Sequence, residues 1–165
     1  MRLASKLSCV TALAGLAVAT ATATATAGAA GPAAQQVDGS ITVMGITCTW
    51  ADAAVSADPP ATLTIDRASV NSGVSCGGGA SATLNQDPTL TFDDTGATAT
   101  SDLIDLTVNQ SIVSCSYQAP GVGWSRDGST GTYRNQAFTA SKTSGSFLCP
   151  SSVSLDPGSV SLTFH

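Results

Sequence analysis

Ile46-Thr-Cys-Thr-Trp50 returns later in the chain as Val113-Ser-Cys-Ser-Tyr117. Both stretches have the order apolar, hydroxyl, cysteine, hydroxyl, aromatic. Side chains alternate between the two faces of an extended strand, so the apolar residue, the cysteine and the aromatic ring share one face. The two hydroxyls lie on the opposite face. Each stretch therefore predicts a half-buried strand that places a sulfur beside a large ring on the core side of a sheet.

The correspondence between these two stretches extends along most of the chain. The shared segments, in order, are Val37-Asp38 and Ile104-Asp105, Ala68-Ser-Val-Asn-Ser-Gly73 and Ala140-Ser-Lys-Thr-Ser-Gly145, and Thr89-Leu-Thr-Phe92 and Ser161-Leu-Thr-Phe164. A cysteine follows the middle segment in each copy. Matches at several points in one order are hard to ascribe to a composition rich in Ser and Thr. They predict an internal duplication with repeats at 37–93 and 104–164.

The N-terminal residues have the pattern of a secretory signal peptide. Arg2 and Lys6 precede a short apolar stretch at 10–18, and Ala-x-Ala sites follow. The stretch is too short for a permanent membrane span. We therefore expect a signal peptide over 1–29 with cleavage around 27–34, a disordered segment over 30–36, and a secreted protein without stable membrane insertion.

The charged residues are few and mostly negative. All the acidic residues are Asp, and loss of Arg2 and Lys6 would take the net charge from −5 to −7, because two cations leave. A negative surface repels nucleic acid and anionic membranes, so nucleic acid is not an expected partner. Glu and Lys, which usually cover exposed helices, are nearly missing, whereas Thr, Ser, Val and Gly are plentiful. This composition favours strands and turns over helices.

The four cysteines that follow the leader, Cys48, Cys76, Cys115 and Cys149, are predicted to form two disulfides, because an even number in an exported chain favours them. No pair has the close spacing of a zinc or redox site, and the single histidine is the last residue, so neither a metal nor another cofactor is expected. Three pairings agree with the duplication. We favour Cys48 with Cys76 and Cys115 with Cys149, since a duplicated ancestor would have needed its own cross-link.

Short strands separated by turns cover the rest of the chain. In the first copy they are predicted at 41–50, 61–65, 74–76, 81–84 and 89–92. In the second copy they are predicted at 103–108, 112–117, 122–126, 131–134, 137–140, 146–149, 152–155 and 160–164. No helical period is found. One copy is too small to be stable alone, so the prediction is a single all-β domain over 37–165, an antiparallel β-sandwich, Ig-like or barrel-like.

The hairpin at 122–134 is the segment in which the copies differ most, and it is the candidate ligand site. It contains Trp124, Arg126, Tyr133 and Arg134. Aromatic and arginine side chains exposed on a rigid hairpin are typical of a binding face. The alternative is an inward Trp124 with arginines that neutralise nearby Asp. For the repeated aromatics, Trp50 and Tyr117, core packing is favoured over ligand stacking.

Catalytic patterns are weak. There is no Gly-x-Ser-x-Gly motif and no internal His to activate a nucleophile, so no catalytic residue is assigned. Asp93 and Asp94, with Asp102 and Asp105 beyond them, have the chemistry of calcium ligands or of a hydrolase pair, but they lack the spacing of a known calcium motif. The protein is expected not to be an enzyme.

In its Ala/Thr-rich leader, its Asp-rich body, its paired cysteines and its final Ser-Leu-Thr-Phe strand, the chain resembles small secreted acidic proteins of actinomycetes. It has a weak similarity of type to the neocarzinostatin-like apoproteins, which hold an apolar chromophore. Their cysteines close short loops, and those of this chain do not. Cys149-Pro150 is similar to a segment of the secreted subtilisin inhibitors, although the surrounding residues differ.

These observations predict a secreted, non-enzymatic binding or surface-interaction module. Its expected partner is an extracellular glycan, a small aromatic molecule or a protein. The first alternative is a protease inhibitor that presents the loop from Cys149 to Leu155. The second alternative is an extracellular hydrolase.

Overall fold

Twelve strands and one short helix form residues 35–165, the part of the chain that the computed structural model describes. In chain order they are β1 (Gln36–Val43), β2 (Ile46–Ala54), β3 (Leu63–Thr64), α1 (Arg67–Gly73), β4 (Ser75–Cys76), β5 (Ala80–Leu84), β6 (Thr89–Asp93), β7 (Thr98–Gln110), β8 (Val113–Arg126), β9 (Thr132–Asn135), β10 (Phe138–Gly145), β11 (Ser152–Leu155) and β12 (Val160–Phe164). The predicted signal peptide and its cleavage site lie outside the described residues. Of the segment predicted to be disordered, Gln36 belongs to β1.

All the strand pairs are antiparallel, and the sheet curls into a half-barrel. Its main path runs β3-β6-β7-β8-β9-β12-β1-β2-β4, while β5 pairs with β7, and β10 pairs with β8 and β11. The all-β, antiparallel, disulfide-linked class is thus confirmed. The two-layer sandwich stays a prediction. Among the described residues, no helix is long and apolar enough to cross a membrane.

The two copies of the Cys-x-aromatic stretch lie in two hairpins of identical register. In the β1–β2 hairpin Ile41 is opposite Cys48, and in the β7–β8 hairpin Val108 is opposite Cys115. A turn at Met44-Gly45, with φ of 50° and 79°, divides the strand predicted at 41–50 in two. A two-residue hairpin turn with positive φ favours glycine at both positions. Here only the second position is a glycine, so the sequence indicated the turn weakly.

The two copies fold differently beyond the hairpins. Residues 68–73 lie in α1, whereas the matching residues 140–145 lie in β10. Asp66 caps α1 by accepting hydrogen bonds from the amides of Ala68 and Ser69. The prediction of a chain without helix is wrong at α1, because seven residues are too few to show a helical period. The strand predicted at 146–149 is also wrong, since β10 ends at Gly145. The duplication stays a prediction.

The two disulfides link Cys48 to Cys76 and Cys115 to Cys149, which confirms the pairing within each copy. Cys48 and Cys76 are directly opposite each other on β2 and β4. Disulfides persist in oxidising surroundings, so the pair indicates an extracellular type of environment.

The half-barrel has two different ends. At the open end lie the turns 44–45 and 111–112 and the loop 146–149. Ala80 pairs with Gln110, and the Gly77 and Ser146 amides bond to the carbonyls of Thr47 and Ser114. At the acidic end lie the turns 94–97 and 127–131 and the last residue. There the Arg126 amide bonds to the Ala97 carbonyl, and the Phe164 amide bonds to the Gly131 carbonyl.

Candidate functional site

The inner face of the half-barrel encloses a cavity of about 530 Å³ that extends to the open end. Strand alternation builds its walls, because every second side chain of a strand faces inward. On β7 the inward residues are Ile104, Leu106 and Val108, and on β8 they continue with Cys115 and Tyr117. Residues of both copies of the Cys-x-aromatic stretch thus meet around one space.

Among the described residues the lining is apolar and contains no charged side chain. Around the mouth it consists of Val43, Met44, Ile46, Gln110, Ser111, Val113 and Leu148, and deeper inside it includes Ile41, Trp50, Ile65, Val70, Val74, Leu84, Leu90, Ile104, Leu106, Val108, Phe138, Val153, Leu155, Val160 and Leu162. The deep residues Leu90, Leu155 and Leu162 are buried, whereas Met44 and Leu148 are mostly exposed. The cavity therefore has a packed floor and a solvent-facing rim.

Several polar groups of the lining are already paired with the protein. The Asn71 side chain makes two hydrogen bonds with the main chain of Leu84, at 2.7 and 2.9 Å. The Tyr117 hydroxyl donates to the Pro150 carbonyl at 3.3 Å, and burial raises the pKa of this phenol. These groups shape the wall and offer little hydrogen bonding to a ligand.

Trp50 is different, because its indole N–H is buried and has no acceptor among the described residues. The ring lies on the backbone of Gly39, where a Cβ atom would stand 1.9 Å from Cζ2 of the indole. Only glycine leaves room for the ring at this position. A buried donor without an acceptor is unfavourable, so the packing of this ring carries a cost in stability.

The structure separates the four residues of the predicted hairpin site. Trp124 is 2 % exposed, lines the cavity and donates a hydrogen bond from Nε1 to the Ser101 hydroxyl at 2.7 Å. Tyr133 is also buried, and its ring packs edge-on against Phe92 and Phe164, with centroid distances of 5.2 and 5.9 Å. Neither ring forms an exposed stacking surface.

The two arginines lie at the acidic end. Arg126 Nη1 is 3.8 Å from Asp94, and Arg134 Nε is 3.0 Å from Asp127. This is the alternative arrangement, an inward Trp124 with arginines beside Asp residues. Arg126 and Tyr133 share a second depression of about 430 Å³, and Trp124 lines the first cavity. That the four residues bind one ligand stays a prediction.

The acidic residues with the chemistry of metal ligands or of a hydrolase pair take part in local hydrogen bonds. Asp93 accepts from the amides of its own turn, Asp102 from the Thr89 amide, and Asp105 from Asn85 and Gln118. These contacts give each carboxylate a role in holding a turn or a strand pair.

One group of possible metal ligands lies on the outer face, where β12, β1 and β2 place His165, Asp38 and Asp52 side by side. His165 Nε2 is 3.2 Å from Asp38 Oδ1 and 4.0 Å from Asp52. The amide of Asp52, together with His165, lowers the pKa of Asp38. These three residues are too far apart in the sequence for their spacing to have indicated a possible metal site.

The segment proposed as an inhibitor loop is mostly part of the sheet. Cys149 and Leu155 are buried, and Ser152–Leu155 forms β11 against β10. The exposed irregular part is limited to Pro150 and Ser151.

The sequence did not predict the cavity as a binding site. Apolar residues alternate with polar ones at 104–108, but alternation does not show whether the apolar face meets other side chains or open space. Comparison with known proteins finds no matching family model, no matching curated protein and no matching solved structure.

Proposed function

We propose that the protein is a secreted, non-enzymatic binding module that holds an apolar small molecule inside the half-barrel. The observation that carries this proposal is the cavity of about 530 Å³, lined without a single charged side chain and open at one end. Ligand pockets of proteins usually measure about 300–1,000 Å³ and combine an apolar lining with few polar groups.

A purely structural explanation of this space is weaker. Protein interiors are close-packed, and voids larger than a water molecule are few in a domain. Here Ile104, Leu106 and Tyr117 lie side by side on one wall and face the open space. If this face served only as a structural core, the domain would be more stable with the space filled by side chains.

The lining also narrows the class of ligand. Without charged groups, the wall favours an uncharged molecule, because a buried ion without a partner is very costly. Of the expected partners, a small aromatic molecule suits this wall better than a glycan, which needs many polar contacts.

The matching hairpins support the duplication as the origin of the cavity. Trp50 and Tyr117 occupy equivalent register positions, opposite Gly39 and Leu106, and both line the space. In this proposal a duplicated hairpin with its disulfide provides the two main walls. The leader pattern and the two disulfides support export of the protein.

Uptake of N-phenyl-1-naphthylamine, an uncharged dye that fluoresces in apolar surroundings, tests the proposal. Ala82→Trp places a large ring in the cavity, whereas Ser81→Trp adds the same ring on the outer face of β5. We expect Ala82→Trp to weaken dye binding at least about tenfold by steric exclusion, and Ser81→Trp to bind like the wild type. Circular dichroism shows whether both variants are folded. Equal binding by two folded variants, or no uptake by the wild type, would contradict the proposal.

A further inference from the structure

The exposed large apolar side chains of the described chain lie together at the open end. They are Met44, Ile112, Phe147 and Leu148, with exposures of 69, 97, 91 and 60 %. Met44 and Ile112 are in the two hairpin turns, and Phe147 and Leu148 are in the loop after β10. Scattered exposed apolar residues are normal, but a cluster at one end of a domain indicates an interaction surface.

The open end is also almost free of charge. The four chain segments that lead to and from it, 40–51, 68–86, 106–125 and 135–155, contain a single charged residue, Lys142, whose Nζ donates to the Cys149 carbonyl at 3.3 Å. None of the eleven acidic residues lies within these segments, although seven lie within two residues of their ends. One of the seven, Asp105, accepts hydrogen bonds from Asn85 and Gln118. The surface of the protein therefore has its exposed apolar side chains at the open end and an excess of negative charge elsewhere.

We propose that the open end docks on the surface of a lipid bilayer and that the ligand enters the cavity from there. This inference rests on the proposed function. Met44 and Leu148 belong both to the exposed rim and to the lining, so an apolar molecule can move from the bilayer to the cavity without crossing water. Apolar side chains at such a surface enter the boundary between headgroups and acyl chains.

The charge distribution favours a bilayer over a second copy of the chain. Docking through the open end turns the Asp-rich end away from lipid phosphates, while Lys142 lies near them. The rim consists of separate turns and a loop around a mouth, a shape that suits insertion into a fluid interface. A second copy seated there would close the entrance to the cavity.

Flotation with phosphatidylcholine vesicles tests the docking, using the double variant Ile112→Ser with Phe147→Ser. Both side chains are at least nine-tenths exposed, so their loss leaves the core intact. We expect the vesicle partition coefficient to fall about ten- to hundredfold, since two apolar side chains no longer leave water. The matched control, Ile112→Leu with Phe147→Leu, keeps the apolar surface and is expected to bind like the wild type. All the proteins carry the same N-terminal residues, so any contribution of these cancels.

The outcomes separate this inference from the proposed function. Equal vesicle binding by the wild type and the serine variant overturns the docking. So does sedimentation that shows a wild-type dimer, abolished in the serine variant, without vesicle binding; the rim then joins two copies. Naphthylamine uptake from solution is expected to be unchanged in the serine variant. If uptake persists and docking fails, the cavity proposal stands alone; if the wild type takes up no dye, both proposals fall.

Discussion

The two ends of the half-barrel are held together by different means. At the acidic end, the rings of Phe92, Tyr133 and Phe164 pack edge-on, and the ion pairs of Arg126 and Arg134 lie around them. At the open end the strands surround a cavity, and both disulfides lie close to its mouth. The comparison indicates that covalent links can stabilise the end of the half-barrel that encloses a cavity, where side chains are not densely packed.

The largest expected effect is the loss of a disulfide at the open end. Cys115→Ala with Cys149→Ala should lower the free energy of unfolding by about 2–5 kcal/mol, because the unfolded chain gains freedom and the cavity wall loses a link. At the acidic end Arg134→Ala removes an exposed ion pair and should cost less than about 1 kcal/mol. Urea unfolding measures both values.

If the disulfide variant is at least as stable as Arg134→Ala, the two ends are not stabilised by different means. The second disulfide provides an internal control. Cys48 and Cys76 are 28 residues apart in sequence, and Cys115 and Cys149 are 34 apart, so removing either link should cost a similar amount.

The next effect concerns the hydrogen bond beneath Trp124. Ser101 is 1 % exposed and accepts the Trp124 indole N–H. Ser101→Ala leaves this donor buried without a partner and should lower the free energy of unfolding by about 1–3 kcal/mol. Ser125→Ala, a change of the same kind on the neighbouring exposed position, should have little effect. Thermal unfolding distinguishes the two; equal melting temperatures would mean that the Ser101 bond is of no importance.

Trp50 gives the contrasting prediction, since its indole N–H has no acceptor among the described residues. Trp50→Phe removes this buried donor together with part of the ring, so the lost packing is offset by the removal of an unpaired polar group. We expect the free energy of unfolding to fall by less than about 1 kcal/mol. Urea unfolding measures the change. A loss larger than that caused by Ser101→Ala would mean that the Trp50 N–H is hydrogen-bonded.

Local patterns predicted the Cys-x-aromatic strands and the disulfide pairing, but neither the turn between β1 and β2 nor the space between the strands. The Cys-x-aromatic stretches reveal which side chains share a face. Their repetition left three disulfide pairings open, and Cys48–Cys76 with Cys115–Cys149 was favoured because a single ancestral copy would have needed its own cross-link. The cavity depends on how far β1, β5, β8 and β11 stand from one another, a long-range property of sheet curvature. For the same reason the contact of Trp124 with Ser101, 23 residues earlier, left no trace in the sequence.

The contact of His165 with Asp38 at the acidic end is also long-range and was not predicted from the sequence. His165, the last residue, extends β12 by main-chain bonds with Gln36 and contacts Asp38.

The lowered pKa of Asp38, due first to the Asp52 amide and then to His165, gives the smallest prediction. A carboxylate with a folded-state pKa below its ordinary 3.8 stabilises the fold above that pH, and this contribution disappears as the pH falls through the folded-state pKa. Because the side chain is about half exposed, Asp38→Asn should cost only about 0.5 kcal/mol or less at neutral pH. The difference from wild type in urea unfolding should shrink below about pH 4. A difference that grows as the pH falls would contradict the assigned hydrogen bonds, and a cost as large as that of losing a disulfide would mean that the acidic end does not depend mainly on its packed rings.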